Sequence, residues 1–219
     1  MAKQGPAGTI AADAVHEHLR KAILSAEYRP NYRLVEQDLS AQLNVSRTPV
    51  REALLRLKQE GLVVQRKGWI VRDHAPHEII ELLEARAEFE SAAARLAARR
   101  ITEDSLAQLL HLIERMEHTS SAARIEVNQL NDEFHSLITA SAQNHVISDA
   151  ARSTMINYWN FNSPVVFTEE DIRRVNDDHR QLHAALADAD GEAAALIARR
   201  HVQATTDIIT RALRLDVPD

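Results

Sequence analysis

The run Leu43-Asn44-Val45-Ser46-Arg47-Thr48-Pro49-Val50-Arg51 constrains this chain more than any other stretch. Asn44-Val45 reads as a tight turn. Ser46 can cap free backbone N–H groups, and Pro49 falls in a first helical turn, where its missing N–H costs little. A short helix over Val35–Leu43, with Leu39 and Leu43 inward at i, i+4, therefore turns into a second helix that ends at Gly61. On that second helix Val50, Ala53, Leu54 and Leu57 form one apolar stripe, while Arg47, Thr48 and Arg51 stand on the outer side at its start. A preceding helix over residues 9–27, carrying Ile10, Ala14, Leu19, Ala22 and Ile23, ends before Arg29-Pro30, because proline disfavours a helical residue before it. After Gly61, Leu62–Gln65 and Trp69–Arg72 read as two short strands around Arg66-Lys67-Gly68. Three helices and a basic hairpin make a winged helix-turn-helix.

Charge supports a division of the chain. Residues 1–75 carry 12 Lys/Arg against 8 Asp/Glu, a net +4, whereas residues 76–219 carry 14 against 24, a net −10, within a total of −6. Only the first part suits a polyanion. In a winged helix-turn-helix the second helix of the turn enters the major groove, where arginine makes two bonds to guanine and threonine meets a base edge or a thymine methyl. Arg47, Thr48 and Arg51 are at the right end for this, Ser46 with the helix-start N–H groups can hold a phosphate, and Arg66 and Lys67 on the wing can reach the DNA backbone or minor groove. For an isolated pair of arginines a solvated surface would be the better reading; the turn, the stripe and the wing together overrule it.

The expected architecture is mainly α, with a winged helix-turn-helix over residues 1–75 and an all-α six-helix bundle over 76–219. The bundle helices fall at about 77–100, 103–118, 122–141, 145–159, 169–189 and 191–215. Thr102 and Thr168 are expected N-caps, the latter in a capping box with Asp171, and the Ala92–Ala98 stretch permits close helix approach. No apolar run nears the ~20 residues of a spanning helix, so no membrane is expected. The N-terminus has no secretory h-region, and the absence of cysteine removes disulfides, thiol catalysis and cysteine metal sites together, which fits a reducing cytoplasm.

Three of the 11 histidines have a special placement. His135 lies four residues after Asn131 beside an apolar stripe, His179 aligns with Ile172, Val175 and Leu186, and His201 aligns with Ile197, Thr205 and Ile208, so each is predicted to face the core. A single inward histidine is usually a satisfied core residue. Three on separate helices, if they converge, need their ring nitrogens satisfied together, and a divalent cation does that. Asp132, at i, i+3 from His135, is either a further ligand or solvated surface. Arg86 either forks onto a small carboxylate at such a site or pairs with Glu90 at i+4. Asn157, Tyr158 and Asn160 either line the cavity or cap and pack.

The segment LVEQDLSAQLNVSRTPVREALLRLKQEGLVVQRKGWIV (34–71) resembles the DNA-binding module of the GntR transcription regulators. The helical half, with Leu83-Glu84-Ala85-Arg86-Ala87-Glu88-Phe89-Glu90, Asn131-Asp132-Glu133-Phe134-His135, Asp178-His179-Arg180 and Arg199-Arg200-His201, resembles the FCD effector domain of the FadR-like branch, its six helices being similar to the VanR-like group. The resemblance implies that Arg47, Thr48, Arg51 and Gly68 face DNA, and that Gln37 stands where many relatives have arginine. It also implies a divalent metal on His135, His179 and His201, with Asn131 where an aspartate is usual. An amide carbonyl can ligate but brings no negative charge.

The function expected is a ligand-responsive repressor, a homodimer on a pseudo-palindromic operator in double-stranded DNA, sensing a small carboxylate at the metal and Arg86. The chain is not expected to be an enzyme. Zinc is the default ion from imidazole preference, with nickel and manganese as alternatives. A metal-sensing regulator is the second reading. A metallohydrolase is a distant third, since there is no HExxH motif and no inward general base beside the histidines.

Overall fold

The computed structural model describes residues 6–25, 27–119, 124–154 and 167–214. The chain forms two compact units, one carried by residues up to His74 and the other beginning at Ala75.

The first unit begins with α1 (Pro6–Leu24), then β1 (Arg33–Leu34), α2 (Glu36–Gln42), α3 (Arg47–Gln59), β2 (Val63–Gln65) and β3 (Trp69–Val71). The apolar stripe of α3 is fully inside: Val50, Ala53, Leu54 and Leu57 are all 0% exposed, and they pack with Leu19 of α1. Burying each of these leucines removes apolar surface worth about 1.5–3 kcal/mol. The strand pair falls where the β-branched runs indicate, with Val63 opposite Val71 and Gln65 opposite Trp69. Two details differ from expectation. A third strand, β1, pairs antiparallel with β3, giving the order β1-β3-β2; two residues are too few for an alternation pattern to register in sequence. The first helix closes at Leu24, short of the expected 27, and the Tyr28 N–H returns to the Ala22 carbonyl at 3.1 Å.

At the hairpin tip Lys67 and Gly68 both have positive φ, 33° and 124°. The Arg66 N–H donates to the Gly68 carbonyl at 2.8 Å and the Arg33 guanidinium donates to the Lys67 carbonyl. Gly68's φ is one that other residues rarely adopt, and a Cβ there would also sit 3.1 Å from an Arg33 side-chain nitrogen, which would have to give a little.

The second unit contains α4 (Pro76–Ala97), α5 (Glu103–His118), α6 (Arg124–Ser141), α7 (His145–Ser153), α8 (Glu169–Ala187) and α9 (Gly191–Arg214). Thr102 caps α5 by accepting from the Ser105 N–H at 3.2 Å, and Thr168 and Asp171 form a reciprocal capping box at the start of α8. The core is built from Leu109, Ile113, Leu130, Phe134, Leu182 and Leu186. Helices α4 and α9 pack through alanines, with Ala93, Ala94 and Ala97 facing a helix that carries Ala194, Ala195 and Ala198. Small residues let the backbones approach, and Ser91 Oγ donates to the Ala195 carbonyl across the seam at 3.0 Å. Gly191, at the start of α9, is the tightest point: a Cβ there would lie 2.9 Å from the Arg95 carbonyl oxygen. Among the described residues no helix is long and apolar enough to cross a membrane.

Gly191→Ala should therefore destabilise the helical unit, although alanine is otherwise the better helix former. A loss of about 1–3 kcal/mol is expected from overpacking, seen as a lower thermal midpoint. An unchanged or higher midpoint would contradict the close approach.

Candidate metal centre and DNA-reading surface

In the second unit His135 comes from α6, His179 from α8 and His201 from α9, and all three are buried, at 4%, 1% and 3% exposure. Each sits on the inward stripe of its helix, which is why they meet. One ring nitrogen from each lies within 4.8 Å of the others, with His135 Nε2 and His201 Nε2 3.1 Å apart. Phe134 packs against His179, ring centroids 4.6 Å apart, closing an apolar side of the cluster. Burial pushes His179 and His201 well below the ordinary imidazole range, so both are neutral at pH 7.

Two carboxylates stand behind the cluster. Glu90 Oε2 of α4 is 2.8 Å from His135 Nδ1, and Asp178 Oδ2 of α8 is 4.0 Å from His201 Nδ1. The Glu90 contact makes Nδ1 the protonated nitrogen of His135 and turns Nε2 toward the other two rings. Glu90 is itself buried and paired with Arg86. Burial alone would push the Glu90 carboxyl up, but the Arg86 guanidinium and the His135 imidazole more than offset this and hold it well below the usual carboxylate range. The stability this linkage supplies is complete above the ordinary carboxylate pKa of about 4.3 and is lost as the pH falls below it. Asp178 Oδ1 is held by Arg200.

Among the described residues four buried polar atoms have no hydrogen-bond partner: both ring nitrogens of His179, Nδ1 of His201 and Oδ2 of Asp178. A buried polar group left unsatisfied costs about 1–3 kcal/mol, so these atoms belong together with something that satisfies them. Three buried imidazoles, one of them hydrogen-bonded to a carboxylate, are a donor set that fits a borderline divalent ion.

Of the remaining residues singled out from sequence, Asn131 lies one helical turn before His135 on α6 and is half-buried, and Asp132 is half-buried without joining the histidine cluster. Arg86 is buried and makes the i, i+4 pair with Glu90, one of the two roles open to it in sequence. Asn157, Tyr158 and Asn160 lie outside the described residues. The supporting carboxylates were not identifiable as such, because the partner of Asp178 is on another helix.

In the first unit Arg47, Thr48 and Arg51 are exposed at the start of α3, and Arg66, Lys67 and Gly68 are exposed on the hairpin. Ser46 has the extended backbone of an N-cap residue, yet its side chain makes no capping hydrogen bond and the residue is exposed. Capping was the expectation, and the side chain does not fulfil it. Two side chains of α2 hold the arginines. Gln37 Oε1 accepts from Arg47 Nη2 at 3.0 Å, and Glu36 accepts from Arg51 Nε and Nη2 at 3.1 and 2.8 Å.

Known proteins with these features are regulators. Residues 11–71 match the gntR family of bacterial regulatory proteins and residues 81–204 match the FCD domain. The chain belongs to the GntR family. It is 30% identical over 197 residues to the Nta operon transcriptional regulator of Aminobacter aminovorans, covering 87% of this chain and 90% of that one. It is 28% identical to the HTH-type transcriptional repressor RspR of Escherichia coli K12, covering 94% and 91%. In fold it is similar to E. coli McbR/YncC, with a TM-score of 0.78 at 23% identity over 92% and 97% of the two chains. This GntR-family protein is thus a DNA-binding transcription regulator with an FCD domain, not an enzyme.

Within this GntR regulator, Glu90→Gln should cost about 3–5 kcal/mol in urea unfolding, because it breaks the buried ion pair with Arg86. A loss below about 1 kcal/mol would mean that Arg86 is neutralised by other groups.

Proposed function

We propose that this regulator is a cytoplasmic, homodimeric, ligand-responsive repressor whose helical unit, residues 76–219, senses a small carboxylate at a divalent metal, and whose winged unit, residues 1–75, grips a pseudo-palindromic operator. The observation that carries the sensing half is the cluster of three buried imidazoles, in which both ring nitrogens of His179 and Nδ1 of His201 have no hydrogen-bond partner. His135, His179 and His201 hold the ion, with zinc the default and nickel or manganese the alternatives. Asn131 on the same face of α6 is the fourth, uncharged donor. Bound there, a divalent ion supplies open Lewis-acid positions for an anion. Because the ligands carry no charge, a carboxylate is favoured as the effector. We also keep Arg86, paired with Glu90 next to His135, as an anion contact.

On the DNA side, Arg47, Thr48 and Arg51 read the major groove, Ser46 meets a phosphate, and Arg66, Lys67 and Gly68 form the wing contact. The repressor role follows the printed description of the relative RspR. An effector changes DNA binding only if it favours one arrangement of the dimer over another.

The test uses a duplex selected by the protein from a random-sequence pool. Zinc-loaded protein should shift this duplex, and at least one small carboxylate should release it. His179→Gln should keep the shift while losing bound zinc and the response to acid. Protein that takes up no divalent ion at one equivalent refutes the metal site. Loss of DNA binding on adding chelator alone, with no acid having any effect, would instead identify the ion as the signal.

A further inference from the structure

In the DNA-reading unit an acidic side chain stands where a polyanion is to be met. Glu36, the first residue of α2, is one-fifth exposed and lies against Arg51, whose side chain is 62% exposed. Its carboxylate takes two N–H groups from one edge of the guanidinium, Nε to Oε1 at 3.1 Å and Nη2 to Oε2 at 2.8 Å. A third donor shares one of these oxygens: Trp69 Nε1 of β3 donates to Glu36 Oε1 at 3.1 Å. Trp69 is only 5% exposed and is paired on both flanks, with Leu34 of β1 and Gln65 of β2, so the carboxylate is tied to an immobile ring. The guanidinium of Arg51 holds the Glu36 carboxyl below its usual range, so it is ionised at neutral pH.

Guanidinium has five N–H groups in a planar fork. With the Nε/Nη2 edge on Glu36, the Nη1/Nη2 edge is the one turned away from α2. That end-on edge matches the N7 and O6 acceptors of a guanine in the major groove. A negative charge beside a phosphate backbone weakens sequence-independent attraction, and besides suiting the first turn of α2 it can offset that cost by improving discrimination.

We propose that Glu36 is a specificity-determining positioning residue: braced by the Trp69 indole, it locks Arg51 so that the guanidinium reads one guanine per half-site end-on, at some expense in non-specific affinity. This rests on Arg51 facing DNA, as proposed above. An ordinary surface ion pair would have no such effect, since its contribution to stability is small and it selects no base.

The experiment compares the full-length wild type, Glu36→Gln and Arg51→Lys. Each protein is used to select duplexes from a random pool, and each is titrated by fluorescence anisotropy against the wild-type-selected duplex and a scrambled duplex over a range of salt. Glu36→Gln should bind the scrambled duplex as well as or better than wild type and the selected duplex less well. The ratio of the two should fall by about tenfold, the range of one bidentate base contact. The repeated selection should lose preference for guanine at one position per half-site, the position that Arg51→Lys also loses. If Arg51→Lys keeps every base preference, Arg51 does not read DNA and the proposal falls with that reading. If Arg51→Lys loses a guanine and Glu36→Gln does not, the reading of Arg51 stands and the role of Glu36 is refuted. Equal weakening on both duplexes together with a lower thermal midpoint would make Glu36 merely structural and would likewise overturn the proposal.

Discussion

The helical unit is organised around a polar problem placed in an apolar interior. Three imidazoles, from α6, α8 and α9, are packed among leucines and a phenylalanine, and several of their nitrogens meet no protein partner. An interior that tolerates this has to restrain the rings by other means. Here two carboxylates do so from outside, Glu90 touching His135 and Asp178 standing behind His201, each neutralised in turn by an arginine, Arg86 or Arg200. Burial keeps His179 and His201 uncharged, so the cluster avoids mutual repulsion and stays ready to donate lone pairs.

The winged unit follows a related logic with opposite sign. Its basic side chains are exposed, yet the two arginines that open α3 are not loose: Gln37 and Glu36, adjacent residues of α2, each hold one. An arginine has many rotamers to lose on binding, and a partner that limits them beforehand reduces that loss. The wing is likewise braced at its tip, where Arg33 spans from β1 to the Lys67 carbonyl.

Much of this was legible in the chain. The Ser46–Pro49 signature located α3, the stripe Val50, Ala53, Leu54, Leu57 is its buried face, and helical spacing pointed His135, His179 and His201 inward. These are properties of one helix at a time, which periodicity records. What could not be read depends on pairs brought together by folding: Asp178 behind His201, Trp69 against Glu36, and the two-residue strand β1. Ser46 is instructive in a different way. Its backbone has the extended N-cap conformation, but the side chain makes no capping hydrogen bond, because backbone geometry at a cap does not by itself place the hydroxyl. Of the partners open to Arg86 in the sequence, Glu90 at i+4 is present in the fold, a contact that spacing along one helix can record.

The seam between α4 and α9 has a mechanical consequence. With alanines, Ser91 and Gly191 bringing the two backbones together, these helices form a stiff double beam. Helix α4 carries Glu90 in that beam, and its first turn, at Pro76, begins five residues after β3 ends. Fourteen residues separate these points, or about 21 Å of helix. Within the helical unit, one continuous helix therefore holds the first turn of α4 and Glu90 in fixed register.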